Sequence, residues 1–172
     1  MSGSPHGKAS AKESLFVMRV DAPCALYTDI VRPDWVDRLG HLHTAYYAVV
    51  FDYAGDAFLD LVGLDEVYRR RTLCTTYILE AHLRYLERPR RGESLRFTTQ
   101  LIDYDHKRLH LLHSMHTATA LAATIEFLHI HVDGKLRRSA SMPKDVLARI
   151  GEVMAVHKDL PRPDHVGKVM GL

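Results

Sequence analysis

The sequence predicts one α+β domain in which a curved antiparallel sheet wraps a single long helix. Three observations lead there. A wide apolar stripe at three-to-four spacing runs over residues 44–62. Four β-prone runs follow it between residues 73 and 132. The whole chain has only 172 residues, 47% of them hydrophobic, which suits one ordinary domain with a sizeable core.

In chain order, residues 1–14 are rich in Ser, Gly and Lys and lack an apolar signal-like stretch, so they read as a mobile leader. The domain is expected over residues 15–157, with a polar tail from 158 to 172. Two short strands open it, at 15–20 and 25–31, separated by the turn-like Asp21-Ala22-Pro23. Pro33 and Gly40 then bracket Trp35, Asp34 and Asp37, which is loop chemistry. From Thr44 the helix is marked by Tyr47, Val50, Phe51, Ala54, Ala57, Phe58 and Leu61, and Gly63 stops it. So broad an aromatic face has to be covered by something broad, such as a sheet. The four strands are expected at 73–86, 94–104, 108–116 and 122–132, with breaks at 88–92, 103–107 and 117–121. A short helix is expected from 143 to about 154.

Composition narrows the function. With 23 basic and 21 acidic residues, the net charge of +2 is too balanced to favour nucleic acid or a membrane surface as partner. No run approaches the ~20 apolar residues of a membrane span. Cys24 and Cys74 lack the spacing of a zinc ribbon or redox pair and suit a reducing cytoplasm. There is no Gly-x-Ser-x-Gly elbow, phosphate loop or dinucleotide fingerprint.

The most informative segment runs from Trp35 to Tyr47. Asp37 precedes Gly40 and then a helix starting near Thr44, which places a carboxylate just ahead of a helix N-terminus. Unsatisfied backbone N–H groups and the positive end of the helix dipole can there hold an oxygen that gains negative charge during acyl transfer. A base or nucleophile beside such a site is the minimum for cleaving a thioester. Taken alone, Asp-x-x-Gly reads equally as a turn that the aspartate merely caps.

The strand before Trp35, the Asp37-x-x-Gly40-His41 turn, the helix from Thr44 with Tyr47 and Phe51, and the later strands with Gly92 and Glu126 form a wider pattern. Over roughly residues 25–150 it resembles the hotdog-fold thioesterases of the 4-hydroxybenzoyl-CoA thioesterase-like superfamily. The resemblance implies a hotdog fold and hydrolysis of an acyl-CoA to free acid and CoA, without cofactor or metal. It assigns Asp37 as general base or nucleophile and the Thr44 backbone N–H as oxyanion donor. His41 would orient Asp37 or substrate, with Glu80 and His82 at positions near the acyl or pantetheine channel. It further implies a homodimer or homotetramer whose sheets pair edge to edge and whose active sites form between subunits.

The resemblance also implies basic residues that hold the CoA phosphates near the site mouth, with Lys107 and Arg108 as candidates and a solvated turn as the alternative for that pair. The stretches Glu80-Ala81-His82-Leu83-Arg84-Tyr85-Leu86, Lys107-Arg108-Leu109-His110 and His129-Ile130-His131-Val132-Asp133 resemble the betainyl-CoA thioesterases of carnitine catabolism. That resemblance makes a quaternary ammonium a candidate acyl headgroup. Trp35 with Tyr46 or Tyr47 would receive it through cation–π attraction, worth roughly 0.5–2 kcal/mol. The alternative for Trp35 is a side chain packed at the end of the core.

Two other classes compete. Twelve histidines suggest a metal-dependent enzyme, since His129-x-His131 and an extended His41-x-His43 would each share a strand face. His110, His113 and His116 count against it, because steps of three alternate faces along a strand. The other class is a hotdog module that binds acyl-CoA without turnover, since fold alone proves no activity.

Overall fold

The computed structural model describes residues 20–168. The expected leader and, apart from Val20, the first expected strand lie outside them. The chain forms β1 (Cys24–Ile30), a 3-10 turn (Pro33–Trp35), α1 (Thr44–Leu61), α2 (Glu66–Thr72), β2 (Cys74–Tyr85), β3 (Ser94–Tyr104), β4 (Arg108–His116), β5 (Leu121–Asp133), β6 (Arg138–Ser139) and α3 (Lys144–His157). The sheet is antiparallel throughout, in the order β1-β3-β4-β5-β2, with β6 added on β5.

Side chains alternate across each strand, so β1, β3, β4 and β5 each offer one face to α1. Tyr47, Val50, Phe51 and Ala54 of α1 bury themselves against Leu95, Phe97, Met115, Ile125 and Phe127 of that face. Phe58 and Leu59 continue into a second cluster with Leu101, Leu109 and Leu111, which Val146, Ile150 and Val153 of α3 complete. The wide stripe predicts such a cover, and a long apolar helix wrapped in a curled sheet is the hotdog arrangement that the family resemblance implies.

Two elements depart from expectation. Helix α2 lies where the sequence reading places no element: Asp65 caps it by accepting from Tyr68 N at 2.7 Å, Tyr68 is buried, and Arg69, Arg70 and Arg71 sit in its last turn. The polar tail is also folded back. Residues 161–168 lie on the sheet face opposite α1, where Gln100 Nε2 donates to Pro161 O at 3.5 Å and Gly167 N donates to Glu126 Oε2 at 2.9 Å.

His113 and His129 project toward α1 and are buried. Burial pushes His113 down to about 3, helped by His129, and His129 down to about 4. Both are therefore neutral in the folded protein at pH 7, as an apolar core requires.

The sign of the pH effect follows. Between their folded values and the ordinary 6.5, the unfolded chain binds protons that the folded one does not. Stability is thus present above pH 6.5 and lost as pH falls below it, by roughly 2 kcal/mol per histidine at pH 5. Urea unfolding at pH 7.5 and 5.0 should show this loss, and a His113→Gln/His129→Gln variant should show a smaller one. Equal losses in both proteins would contradict the assignment.

Candidate active site

Chain leaving β1 is pinned at once, as Val31 N donates to Glu93 O at 2.9 Å. After the 3-10 turn it makes a tight hairpin, in which Val36 bridges Leu42, Asp37 N donates to His41 O at 2.8 Å and Gly40 N donates to Asp37 O at 3.0 Å. Gly40 has φ +78°, and a Cβ there would meet nothing within 4 Å. The position needs glycine for its backbone sign, not for space. Leu42 N to Pro89 O (2.7 Å) and Arg91 N to Gly40 O (3.1 Å) tie the hairpin to the β2–β3 connection.

Asp37 does cap this turn: its Oδ1 accepts from Leu39 N at 2.8 Å and His41 N at 3.1 Å. Both bonds use Oδ1, so capping fixes the side chain and leaves Oδ2 outside the turn's hydrogen bonds. The His41 N–H bond, then that of Leu39, holds the carboxyl below its usual range, and the His41 and Arg88 charges add to this. Asp37 is accordingly a carboxylate at neutral pH.

Helix α1 begins seven residues beyond the hairpin's aspartate. His43 is its N-cap, with Nδ1 accepting from Ala45 N at 3.2 Å and the carbonyl accepting from Tyr46 N at 2.9 Å. Thr44 N–H has no partner within the helix, by the geometry of a helix start. Carboxylate, His41 and Thr44 N–H thus share one hairpin-to-helix junction. The Nδ1 of His41 is buried without a hydrogen-bond partner among the described residues.

The aromatic residues have other duties. Trp35 is 5% exposed, with Tyr46 stacked on it at 5.7 Å and the Arg32 guanidinium over its ring at 4.3 Å. A cation already occupies the indole, and it belongs to this chain. Tyr47 is buried, and its hydroxyl donates to Glu87 O at 2.9 Å. An aromatic cage built on Trp35 and Tyr47 therefore lacks free ring faces, because both rings finish the core.

Four other candidates are not brought to Asp37 within one chain. Glu80 and His82 lie opposite Leu128 and Glu126, on the face away from α1, and line a cavity with His110, Glu126 and Lys168. In it, His110 Nε2 and Glu126 Oε2 are 2.9 Å apart. Lys107 and Arg108 sit in the β3–β4 turn, capped by Asp105, which accepts from both backbone N–H groups and from Arg108 Nε. That turn is the length of β3, about 30 Å, from the end that carries Glu93. The solvated turn is what the structure contains there. Close to Asp37 stand instead the exposed Arg88, Arg90 and Arg91, and Arg90 bridges His41 directly. Three arginines within one β2–β3 connection were the available signal, read in the sequence only as a break.

The remaining histidines are mostly partnered. His131 reaches Tyr68 OH and Ala140 O, both at 2.8 Å, and His113 Nδ1 reaches Thr99 Oγ1 at 2.9 Å. Among the described residues no three His, Cys, Asp or Glu side chains gather where a metal ion could be held.

A hotdog fold with a turn-locked carboxylate at the start of its central helix defines a class built for acyl-thioester chemistry. The chain belongs to the thioesterase-like superfamily, whose family model matches residues 31–150. It is 39% identical to a betainyl-CoA thioesterase of Pseudomonas aeruginosa, over 85% of this chain and 93% of that one. It is 34% identical to an L-carnitine dehydrogenase/betainyl-CoA thioesterase of Agrobacterium fabrum, covering 87% of this chain but 31% of the other. The chain therefore spans about a third of that two-function relative. Among solved structures, a Staphylococcus aureus protein in complex with CoA superposes with TM-score 0.82 at 25% identity, over 90% of this chain and 99% of that one. The DHNA-CoA thioesterase of Staphylococcus aureus shares the fold at TM-score 0.71 and 15% identity, over 84% and 95%.

Gly40→Ala tests the junction. An alanine at that φ costs about 1 kcal/mol and loosens the turn that aims Asp37. We expect cooperative unfolding to persist while kcat drops about tenfold or more. An unaltered kcat would show that the turn does not position the carboxylate.

Proposed function

We propose that this protein is an acyl-CoA thioesterase that hydrolyses a small acyl-CoA, with betainyl-CoA foremost, to the free acid and CoA. The observation that carries the reading is Asp37 locked through Oδ1 at the N-terminus of α1. Membership of the thioesterase-like superfamily and the likeness to the Pseudomonas aeruginosa enzyme support it.

The thioester carbonyl oxygen accepts from Thr44 N–H, where the α1 dipole favours the charge that builds on it. Oδ2 of Asp37 then takes a proton from water as the water oxygen bonds to the carbonyl carbon. The tetrahedral oxyanion collapses, the C–S bond breaks, and the thiolate of CoA leaves and is protonated. Direct attack by Oδ2 gives an anhydride that water opens, with the same two groups in the same places. The neighbouring His41 lies in reach to orient the water or the carboxylate. Arg88, Arg90 and Arg91 suit the CoA phosphates, because guanidinium groups pair with phosphate oxygens bidentately.

The functional unit we propose is a homodimer joined through β2. This strand is a sheet edge, and Tyr77 and Leu79 on it are 58% and 56% exposed. An unpaired apolar edge is normally covered. Among the described residues no helix is long and apolar enough to cross a membrane, and the two free cysteines suit a reducing cytoplasm.

CoA release, followed with a thiol reagent across betainyl-, short-chain, aromatic and long-chain acyl-CoAs, tests the reaction. Asp37→Asn should lower turnover about a hundredfold or more. Undiminished turnover in the variant would remove Asp37 from the chemistry, and no turnover of any substrate by the folded parent would leave a binding module.

A further inference from the structure

Between α1 and the edge strand β2 lies a cavity of about 360 Å³, lined among others by Asp52, Asp56, Arg69, Tyr77 and His129. Its floor is unusual. His129 is 4% exposed, lines the cavity, and among the described residues has no hydrogen-bond partner on either ring nitrogen. A neutral imidazole carries one acceptor lone pair, and none of the described residues donates to this one. Because burial keeps the ring uncharged at pH 7, it adds no positive charge beneath the two aspartates.

Helix geometry links this cavity to the Asp37 site. Residues four apart share one side of a helix, so Thr44, Ala48, Asp52 and Asp56 form a row that runs from the N-terminus of α1 to the cavity. Ala48 is small, and Gly55 lines the cavity without a side chain. Asp52 lies about 12 Å along the axis from Thr44, and helical side chains lean toward the N-terminus, which brings its carboxylate closer. A carbonyl bonded to Thr44 N–H, a quaternary nitrogen two bonds away and the contact of its methyl groups with a carboxylate together span about 10 Å. The distances match.

Charge agrees with shape. The Asp56 carboxyl is pushed up by desolvation and by the Asp52 charge, while Arg69 opposes the shift. Among the described residues lining the cavity, Arg69 is the one basic side chain facing the two carboxylates, and it also donates to Leu64 O at 3.3 Å. The excess is negative, and a cation would relieve it.

We propose that the Asp52–Asp56–His129 cavity receives the positively charged end of the acyl group and sets the preference of the Asp37 site for cationic over neutral acyl-CoAs. The proposal rests on the thioesterase reading and replaces the Trp35 cage as the source of selectivity. The carboxylates supply the attraction, and the His129 lone pair faces the polarised N-methyl groups, a weak but favourable contact.

The test compares kcat/KM for betainyl-CoA and for 3,3-dimethylbutyryl-CoA, in which carbon replaces the quaternary nitrogen at nearly the same size. The parent should favour the cationic substrate by about tenfold or more, and Asp52→Asn/Asp56→Asn should cut that ratio by about tenfold. A ratio within about twofold of the parent's in the double variant would overturn the pocket. Equal use of both substrates by the parent would overturn it too, while leaving the thioesterase reading intact. Turnover of neither would overturn both.

Discussion

The bonds from Leu39 N and His41 N to Asp37 Oδ1 are the interaction on which the rest of the site depends. They convert a mobile surface carboxylate into a directed one, and they keep it ionised without burying it. The hairpin they stabilise exists only because Gly40 takes a positive φ and because Pro89 O and Arg91 N hold it against the β2–β3 connection. Capping and catalysis are alternatives when only the sequence is read, but the turn uses Oδ1 and leaves Oδ2 for the catalytic role we propose.

Behind the hairpin, the core is organised to keep α1 rigid. Its N-terminal half is clamped by Phe97, Met115 and Phe127 and its C-terminal half by α3, so the first turn is a fixed donor. The same packing forces His113 and His129 to be neutral. His113 still finds a partner in Thr99, whereas His129 finds none among the described residues and faces a cavity. That difference is what marks the groove beside β2 as more than a packing defect.

Much of the fold was legible because it is periodic. The α1 start at Thr44 and the limits of β3 and β4 match the sequence reading, and β5 runs one residue further at each end. Helix α2 was missed because seven residues with one buried side chain give no stripe. The break before β5, which lacks Gly and Pro, is made by Thr117, which donates to Ala120 O through its backbone and its hydroxyl. The junction of Asp37, His41 and Thr44 could be grouped from the sequence because the three are neighbours in it. The face on which Glu80 and His82 lie could not, since the bulge between Ile78 and Glu80 reverses which face follows. The distance of Lys107 and Arg108 from Asp37 depends on which end of a long strand each occupies. Asp52 and His129 meet only through tertiary structure, and alternation alone could not pair them.

The most direct measurement is a crystal structure of the Asp37→Asn protein with an unhydrolysed acyl-CoA. The thioester oxygen should lie about 3 Å from Thr44 N, with the carbonyl carbon facing the residue 37 side chain. A thioester bound elsewhere, for example in the cavity of His110 and Glu126, would contradict the assignment of the hairpin-to-helix junction as the active site.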